Sequence, residues 1–411
     1  MALPIQPSCR DDFAIAIICA LPLEYDAVSL LFDKFFDEDG DCYGRASGDF
    51  NSYATGRIGK HDVVLALLSQ MGKTNAASAA ASLRSSYGGV RLVLLVGICG
   101  GVPSGKDKEI LLGDVVISKT VVQYDFGRQY PDKFVRKDTS KDSLSIPNRD
   151  IRNLLVTFET DRGLKQLQQK TAHFLRQLQA NATQDKPEGR YSYPGTKEDK
   201  LFLPSYRHKH HVLPTPPCIC RNCNCISDPI CDDALHSSCD DLGCDRTYSY
   251  PRPREPLERK QRLEKRKSDK AQEPAIHLGP IASGDTVMKS GEDRDRIAKK
   301  EGVIAFEMEG AGVWEEIPCI VVKGVCDYAD CHKTKKWQNF AAATAASTSK
   351  SILERYTRTD KISQGGMDMS GRDLMIQSAF RFNYRRATEA SHVNNISGQQ
   401  AMDSYLAGKT L

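Results

Sequence analysis

The stretch VIAFEMEGAGVW, Val303 to Trp314, reads as a buried strand that ends in two carboxylates, Glu307 and Glu309, around Met308. Carboxylates at the mouth of a core are costly unless something pairs with them. Further acids stand at the ends of other strand-like runs: Glu24 after FAIAIICAL, Asp285 after HLGPIAS, and Asp327 with Asp330 after CIVVKGV. The glycine-rich segment Gly97–Gly101 follows RLVLLV in the same way. In open α/β sheets ligands bind beyond the carboxyl ends of strands. Acids gathered there, with no basic residue among them, suit a polyhydroxylated ligand, a metal ion or a proton-transfer reaction.

The elements that must position these groups alternate. FAIAIICAL is a near-continuous apolar run, as expected for a strand covered on both faces. PLEYDAVSLLFDKFF has apolar residues at helical spacing, YATGRIG and HDVVLALL read as a hairpin, and KTNAASAAASLRSSYG is an Ala-rich helix stopped by Gly88-Gly89. RLVLLVG is a buried strand opening into an ICGGVPSG turn, DVVISKTVVQYDFG is a further strand, and Ile151–Gln179 holds one or two helices. From Ile276 the pattern is strand HLGPIAS, helix SGEDRDRIAKKEG, strand VIAFEME, helix start GAGVWEEI, strand CIVVKGVCDYAD and the long helix KKWQNFAAATAASTSKSILERY. This alternation predicts an α/β fold with a largely parallel sheet flanked by helices.

The domain reading has four parts: a first block over 12–179, a Cys-rich and basic insert over 180–274 that is partly disordered, a second block over 275–358, and a tail over 359–411 with a helix near Asp373–Arg386. PRPREPLERKQRLEKRKSDKAQEP, within the insert, reads as a solvated, flexible stretch. At 411 residues, 40% apolar and 27% charged, the chain suits a soluble globular protein. The formal charge of +4 is too small to imply nucleic-acid binding. No apolar run approaches the ~20 residues that span a bilayer, and no signal peptide is visible, so a cytoplasmic location with no membrane partner is expected. Of fourteen cysteines, Cys19, Cys99, Cys319 and Cys326 look like small core residues, and seven others crowd into Cys218–Cys244. A reducing compartment argues against a disulfide framework.

Seven short pieces, in order, carry a resemblance: IAIICALPLE (Ile15–Glu24), MGKTNAA (Met71–Ala77), VGICGG (Val96–Gly101), GDVVIS (Gly113–Ser118), IASGD (Ile281–Asp285), AFEMEGAG (Ala305–Gly312) and GVCDYAD (Gly324–Asp330). Together they resemble the purine nucleoside phosphorylase and methylthioadenosine nucleosidase superfamily. They span most of the chain outside the insert and the tail. The insert, with YPGTKEDKLF (Tyr193–Phe202), is similar to the version of this domain in fungal multidomain proteins. The resemblance implies a Rossmann-like three-layer nucleoside phosphorylase fold with a mixed, largely parallel central sheet. It also implies a small-molecule purine nucleoside or nucleotide as partner, no organic cofactor, and a homo-oligomer.

It further implies roles. Cleaving a ribose–purine bond passes through an oxocarbenium-like sugar while negative charge moves onto the base. Asp327 matches the general acid that protonates the purine, and its pKa must be raised for work near neutral pH, with Val325, Cys326 and Tyr328 expected to limit water around it. Glu309 matches the acceptor of the ribose hydroxyls, and Met308 packs on the ribose face. Glu307 either holds a hydroxyl from the side or braces the site. Glu24 aligns with the glutamate that activates the attacking water in the nucleosidase branch. Val287 and Met288 match positions facing the purine. Trp337 and Phe340 fall at the 5′ side of the sugar or in the core of the last helix.

Phosphorylases of the family use a Gly-Ser turn preceded by an arginine; here Ile98 replaces the serine and no arginine lies in RLVLLV after Arg91. The amides of Gly100 and Gly101 can still form an anion nest, and Arg57 can supply charge. The preferred function is a purine N-ribosidase, a hydrolase, with a phosphorylase and a non-catalytic purine-nucleotide sensor as the alternatives. Beside the expected 5′ pocket, His332, Lys333, Lys335 and Lys336 are candidates for binding a 5′-phosphate, or form a solvated basic helix start. MGKT lacks the first glycine of a P-loop, with Leu67 in its place. In the cysteine cluster Cys220 and Cys223 form a CxxC, half of a common zinc arrangement, preceded by His208, His210 and His211. A zinc there would be structural, since the reaction needs no metal.

Overall fold

The computed structural model describes residues 6–38, 40–103, 109–139, 144, 146–185, 189–212, 218–225, 228–245 and 255–357. Eleven strands are described: β1 (Ile15–Cys19), β2 (Lys34–Phe35), β3 (Tyr53–Ile58), β4 (His61–Leu67), β5 (Leu92–Gly101), β6 (Val115–Gln123), β7 (Gly127–Gln129), β8 (Phe134–Arg136), β9 (Ile276–Ser283), β10 (Ala305–Glu307) and β11 (Cys319–Asp327). The helices are α1 (Pro22–Ser29), α2 (Lys73–Ser86), α3 (Arg149–Glu159), α4 (Asp161–Asp185), α5 (Asp232–His236), α6 (Cys239–Leu242), α7 (Glu255–Lys265), α8 (Gly291–Glu301), α9 (Gly310–Trp314) and α10 (Gln338–Arg355).

Nine strands make one mixed sheet in the order β10-β9-β6-β11-β5-β1-β4-β3-β2. β1 lies parallel to both β4 and β5, β11 parallel to β5, and β9 parallel to β6 and β10, while β6–β11 and the β2-β3-β4 meander are antiparallel. The apolar runs read from the sequence are buried on both faces: every residue of β1 is buried, as are Leu92–Val96 of β5. Helix α10 packs on β11 and β5 and against α1 and α4, and α2 packs on α9. Much of the buried length of α10 is alanine, serine and threonine, whose hydroxyls donate back along the helix, Ser347 to Ala343 O at 2.7 Å and Thr348 to Thr344 O at 2.8 Å. No helix among the described residues is long and apolar enough to cross a membrane.

Three features depart from the sequence reading. The sheet is not open along its whole length. β10 pairs parallel with β9 and antiparallel with β5, through Ala305–Gly101 and Phe306–Gly100, so β10, β9, β6, β11 and β5 close into a ring. Glycines let the strands approach there: a Cβ on Gly101 would lie 2.6 Å from Val325 Cγ1. VGICGG is therefore strand to its last residue rather than a turn. Finally, part of the basic stretch of the insert is ordered as α7. Leu257 is buried, Glu264 accepts from the amide of Thr196 at 2.7 Å, and Lys260 lies 3.6 Å from buried Asp114. Lys260 and Glu264 are thus anchored to the fold, while Glu258, Arg259, Arg262 and Lys265 are exposed.

All described residues belong to one compact unit ending at Thr357. The tail 359–411, with the helix expected at Asp373–Arg386, lies outside the described residues.

Candidate active site

A cavity of about 250 Å³ opens where β1, β5, β10 and β11 end. Its walls include Glu24, Glu307, Met308, Glu309 and Asp327, with Val287, Met288 and Gly100 beside them. The local sequence explains how they arrive there. Glu24 is the third residue of α1, the helix that follows β1, and its carboxylate reaches back to the start of the helix. Its Oε2 accepts from the amides of Ala20 and Leu21 (both 2.9 Å), and its Oε1 from Ile98 N of β5 at 2.8 Å. Gly97 clears the space: a Cβ there would collide with the Glu24 carboxylate. Gly100 does the same for Asp327, whose Oδ1 would be 2.9 Å from such a Cβ.

Three carboxylates meet one buried cation that the sequence reading passed over. Lys323, in the middle of β11 and paired in register with Gly97, is 1% exposed. Its Nζ lies 3.1 Å from Glu309 Oε2 and 3.8 Å from Glu307 Oε2. Burial alone would lower its pKa, but the carboxylates of Glu309, Glu24 and Glu307 outweigh burial and raise it above the ordinary 10.5, so it stays an ammonium. For Glu24, burial pushes the carboxyl above its ordinary 4.5, and Lys323 pulls it part of the way back. Glu307 behaves likewise, raised by burial and eased by Lys323.

The paired acids divide their tasks. Glu307 turns its oxygens back on its own chain, accepting from Glu309 N at 3.0 Å and from Gly310 N at 2.9 and 3.0 Å. It braces the site. Glu309 has Lys323 on one oxygen and a long contact from Gly72 N, 3.4 Å, on the other. It is therefore the carboxylate with acceptor capacity left for a ligand.

Asp327 ends β11 after a bulge. Its Oδ1 accepts from Ala329 N at 2.8 Å and lies 3.1 Å from Lys333 Nζ. Of the neighbours expected to screen it, only Cys326 lines the cavity. Val325 is core, and Tyr328 donates its hydroxyl to Asp199 Oδ1 at 2.7 Å. The Cys99 and Cys326 thiols in the wall are raised by burial and are poor nucleophiles.

Several expected site residues fall elsewhere. Gly101 does not line the cavity, and Gly100 and Gly101 sit in the β5–β10 ladder, so their amides form no nest. Arg57, on β3 near the far edge of the sheet, is paired with Asp62 at 2.6 Å. Trp337 and Phe340 are each 1% exposed and pack on Tyr193 in the core, Trp337 edge-on and Phe340 tilted, which is the other reading of these positions. Of the four candidate 5′ cations only Lys333 reaches the cavity. Lys336 binds Glu198 at 2.9 Å, and the His332 ring stacks on Phe202. Asp285 is engaged outside the cavity wall, accepting from Lys73 N at 2.8 Å, and Asp330 is buried beside Arg294 at 3.9 Å. In the insert, Cys220 does not group with Cys223, whose thiol instead points at Ile219 O at 3.7 Å; His210, Cys218 and Cys231 surround Cys220.

Lys323 stands behind the wall; in the wall itself the sequence reading also missed Met71, Thr286, Phe306 and Gln338. A lysine inside the apolar run CIVVKGVC is a signal in itself, because a buried strand tolerates one only opposite an anion. Nothing in the local pattern marks Met71.

The model of the "Phosphorylase superfamily" matches residues 14–181 and 226–358. A nucleotide-binding leucine-rich repeat (NLR)-like protein of Hyaloscypha variabilis is 30% identical over 349 residues, covering 84% of this chain; the chain spans only 29% of that relative's length. A 5′-methylthioadenosine/S-adenosylhomocysteine nucleosidase of Mycobacterium bovis is 22% identical over 344 residues, covering 82% of this chain and 95% of the relative. Among solved structures, a 5′-methylthioadenosine/S-adenosylhomocysteine nucleosidase of Colwellia psychrerythraea in complex with adenine superposes with a TM-score of 0.46 at 16% identity, covering 84% of this chain and 96% of that one. The family model takes in most of the chain, in two blocks separated within the insert: this protein belongs to the phosphorylase superfamily.

Proposed function

We propose that the chain hydrolyses the N-glycosidic bond of a purine nucleoside or nucleotide, releasing the base and the ribose moiety. The observation that carries this reading is the charge of the site. Four carboxyl groups, those of Glu24, Glu307, Glu309 and Asp327, meet two ammonium groups, Lys323 and Lys333, so the pocket is built with more acids than cations. Such an excess is costly at rest. It is relieved when positive charge develops on a bound ligand, as on the sugar of an oxocarbenium-like transition state.

In this reading Glu309 accepts from the ribose hydroxyls while Lys323 fixes its orientation, and Met308 packs on the sugar. Glu24, held by three backbone amides, takes a proton from water as its oxygen attacks C1′. The electrons of the breaking C1′–N bond pass to the purine, which receives a proton from Asp327. Val287 and Met288 flank the base. The likeness to a 5′-methylthioadenosine/S-adenosylhomocysteine nucleosidase over 95% of its length supports water as nucleophile. So does the pairing of Arg57 with Asp62, which leaves Lys333, already at Asp327, as the single cationic side chain lining the cavity among the described residues.

Product analysis tests the choice. The purified chain is incubated with adenosine, inosine, methylthioadenosine, AMP and ATP, each with and without inorganic phosphate. Free ribose or ribose derivative at a rate independent of phosphate is expected for at least one substrate. A sugar 1-phosphate formed only with phosphate would replace the hydrolase by a phosphorylase, and binding without base release would make the site a sensor.

A further inference from the structure

Within the insert, the stretch from Cys218 to Cys244 has a very small core of its own: Cys220, Ala234 and Leu242 are its buried apolar cluster, ringed by Cys218, Cys223, Ile230, Cys231 and Cys244. A core of that size does not hold a lobe together without a staple. Two groups of histidine and cysteine stand where staples would be. His208, Cys239 and Cys244 of the insert gather around His332 from the segment after β11; His210, Cys218, Cys220 and Cys231 form the second group. In each group the four donor atoms lie within 4.8 Å of one another.

The spacings are those of coordination tetrahedra. With metal–sulfur bonds of about 2.3 Å and metal–nitrogen bonds of about 2.0–2.1 Å, a tetrahedral zinc sets S···N edges of about 3.6 Å and S···S edges of about 3.8 Å. In the first group Cys239 Sγ is 3.5 Å from His332 Nδ1 and 3.7 Å from His208 Nδ1, and Cys244 Sγ is 3.6 Å from His208 Nδ1. In the second, Cys220 Sγ is 3.3 Å from His210 Nδ1, 3.5 Å from Cys218 Sγ and 3.6 Å from Cys231 Sγ, and Cys231 Sγ is 3.7 Å from His210 Nδ1.

The histidines are also oriented as ligands. Each turns Nδ1 toward the thiols and has its other nitrogen on an oxygen acceptor: His208 Nε2 on Ser237 O at 3.0 Å, His332 Nε2 on Tyr206 O at 3.1 Å, and His210 Nε2 on Asp233 Oδ2 at 3.2 Å. That partner fixes the proton on Nε2 and leaves the Nδ1 lone pair for a metal. Mixed thiolate and imidazole tetrahedra with four protein donors and no open position are zinc sites of the structural kind.

We propose that the chain binds two structural zinc ions, one held by His208, Cys239, Cys244 and His332, the other by His210, Cys218, Cys220 and Cys231. Binding displaces the thiol protons to solvent, two at the first site and three at the second. The sites differ in what they join. The second closes the insert on itself. The first ties the insert to the core, at a residue five positions after Asp327 and next to Lys333, the side chain that touches Asp327.

Elemental analysis of the full chain, purified without chelator, tests this. Two zinc ions per chain are expected. His332→Ala and the pair Cys218→Ser/Cys220→Ser should each retain one, while Cys223→Ser and Cys225→Ser retain both. Should the ligand variants fail to fold, cobalt(II) replacement in the parent chain decides. Two equivalents should give the intense d–d bands of tetrahedral cobalt with sulfur charge transfer, and chelation should lower the unfolding temperature. A substoichiometric zinc content with no tetrahedral cobalt spectrum would overturn the proposal, as would a folded His332→Ala chain that keeps two zinc ions.

Discussion

Replacing Lys323 by methionine keeps most of the side chain's length and removes its charge. In the parent, the ammonium lies 3.1 Å from Glu309 and 3.8 Å from Glu307, fully inside the protein. At an effective dielectric near 20 these separations correspond to attractions of about 5 and about 4 kcal/mol, set against several kcal/mol for removing the ammonium from water. The substitution therefore does not cost the sum. It leaves Glu24, Glu307 and Glu309 buried without their counter-ion, a change that destabilises by about 3–5 kcal/mol near neutral pH. The sign with pH is distinctive. The carboxyls of Glu24 and Glu307 already titrate above their ordinary 4.5 because of burial, and losing Lys323 raises them further. A group whose folded pKa is raised contributes stability that is present below its unfolded pKa and lost as pH rises through the folded value. The deficit of Lys323→Met should therefore be largest at neutral pH and shrink as pH falls toward 4.5. Urea unfolding, followed by the fluorescence of buried Trp314 and Trp337, reads it at each pH. A deficit of the same size at pH 7 and pH 5 would mean the lysine matters for packing alone, and the electrostatic reasoning would be wrong.

Two further outcomes follow from the geometry around Glu24. In Gly97→Ala, the new methyl must displace the Glu24 carboxylate, and misplacing a reacting group by an ångström costs on the order of 10²-fold, so kcat for base release should fall by about that factor while the fold persists. A variant with parental kcat would remove Glu24 from the chemistry. If Glu24 acts as the base, kcat/KM should decline as pH falls through its raised pKa, placing the acid limb above 4.5, and whatever slow activity Glu24→Gln retains should lack that limb. A limb unchanged in Glu24→Gln would assign it to another group.

The acids of the site were legible because they obey two local rules at once. Each follows an apolar run, and each is a residue type that a core rejects without a partner, so Glu24, Glu307, Glu309 and Asp327 could be assembled without coordinates. Their cation was legible in principle, as the single charge inside CIVVKGVC, but searching only strand ends leaves mid-strand Lys323 out. Trp337 and Phe340 show the opposite limit. Proximity in sequence to the site does not fix which way an aromatic ring points, and these two turn into the core toward Tyr193. The ring closure of the sheet was hidden because β10 is three residues long and pairs with β5 through two glycines, a tertiary contact with no local pattern. In the insert, the CxxC spacing favoured Cys220 with Cys223, whereas the short helical turn at Ile219–Asn222 points Cys223 back at its own backbone and groups Cys220 with Cys218.

The most direct test of the central claim is a single-turnover measurement of purine release by the parent chain and by Asp327→Asn, at saturating substrate. Asparagine keeps the shape at the end of β11 and has no proton to give. The account predicts a fall of about 10²–10⁴-fold in the rate of base release with substrate binding retained. Release of the purine at the parental rate by Asp327→Asn would contradict it.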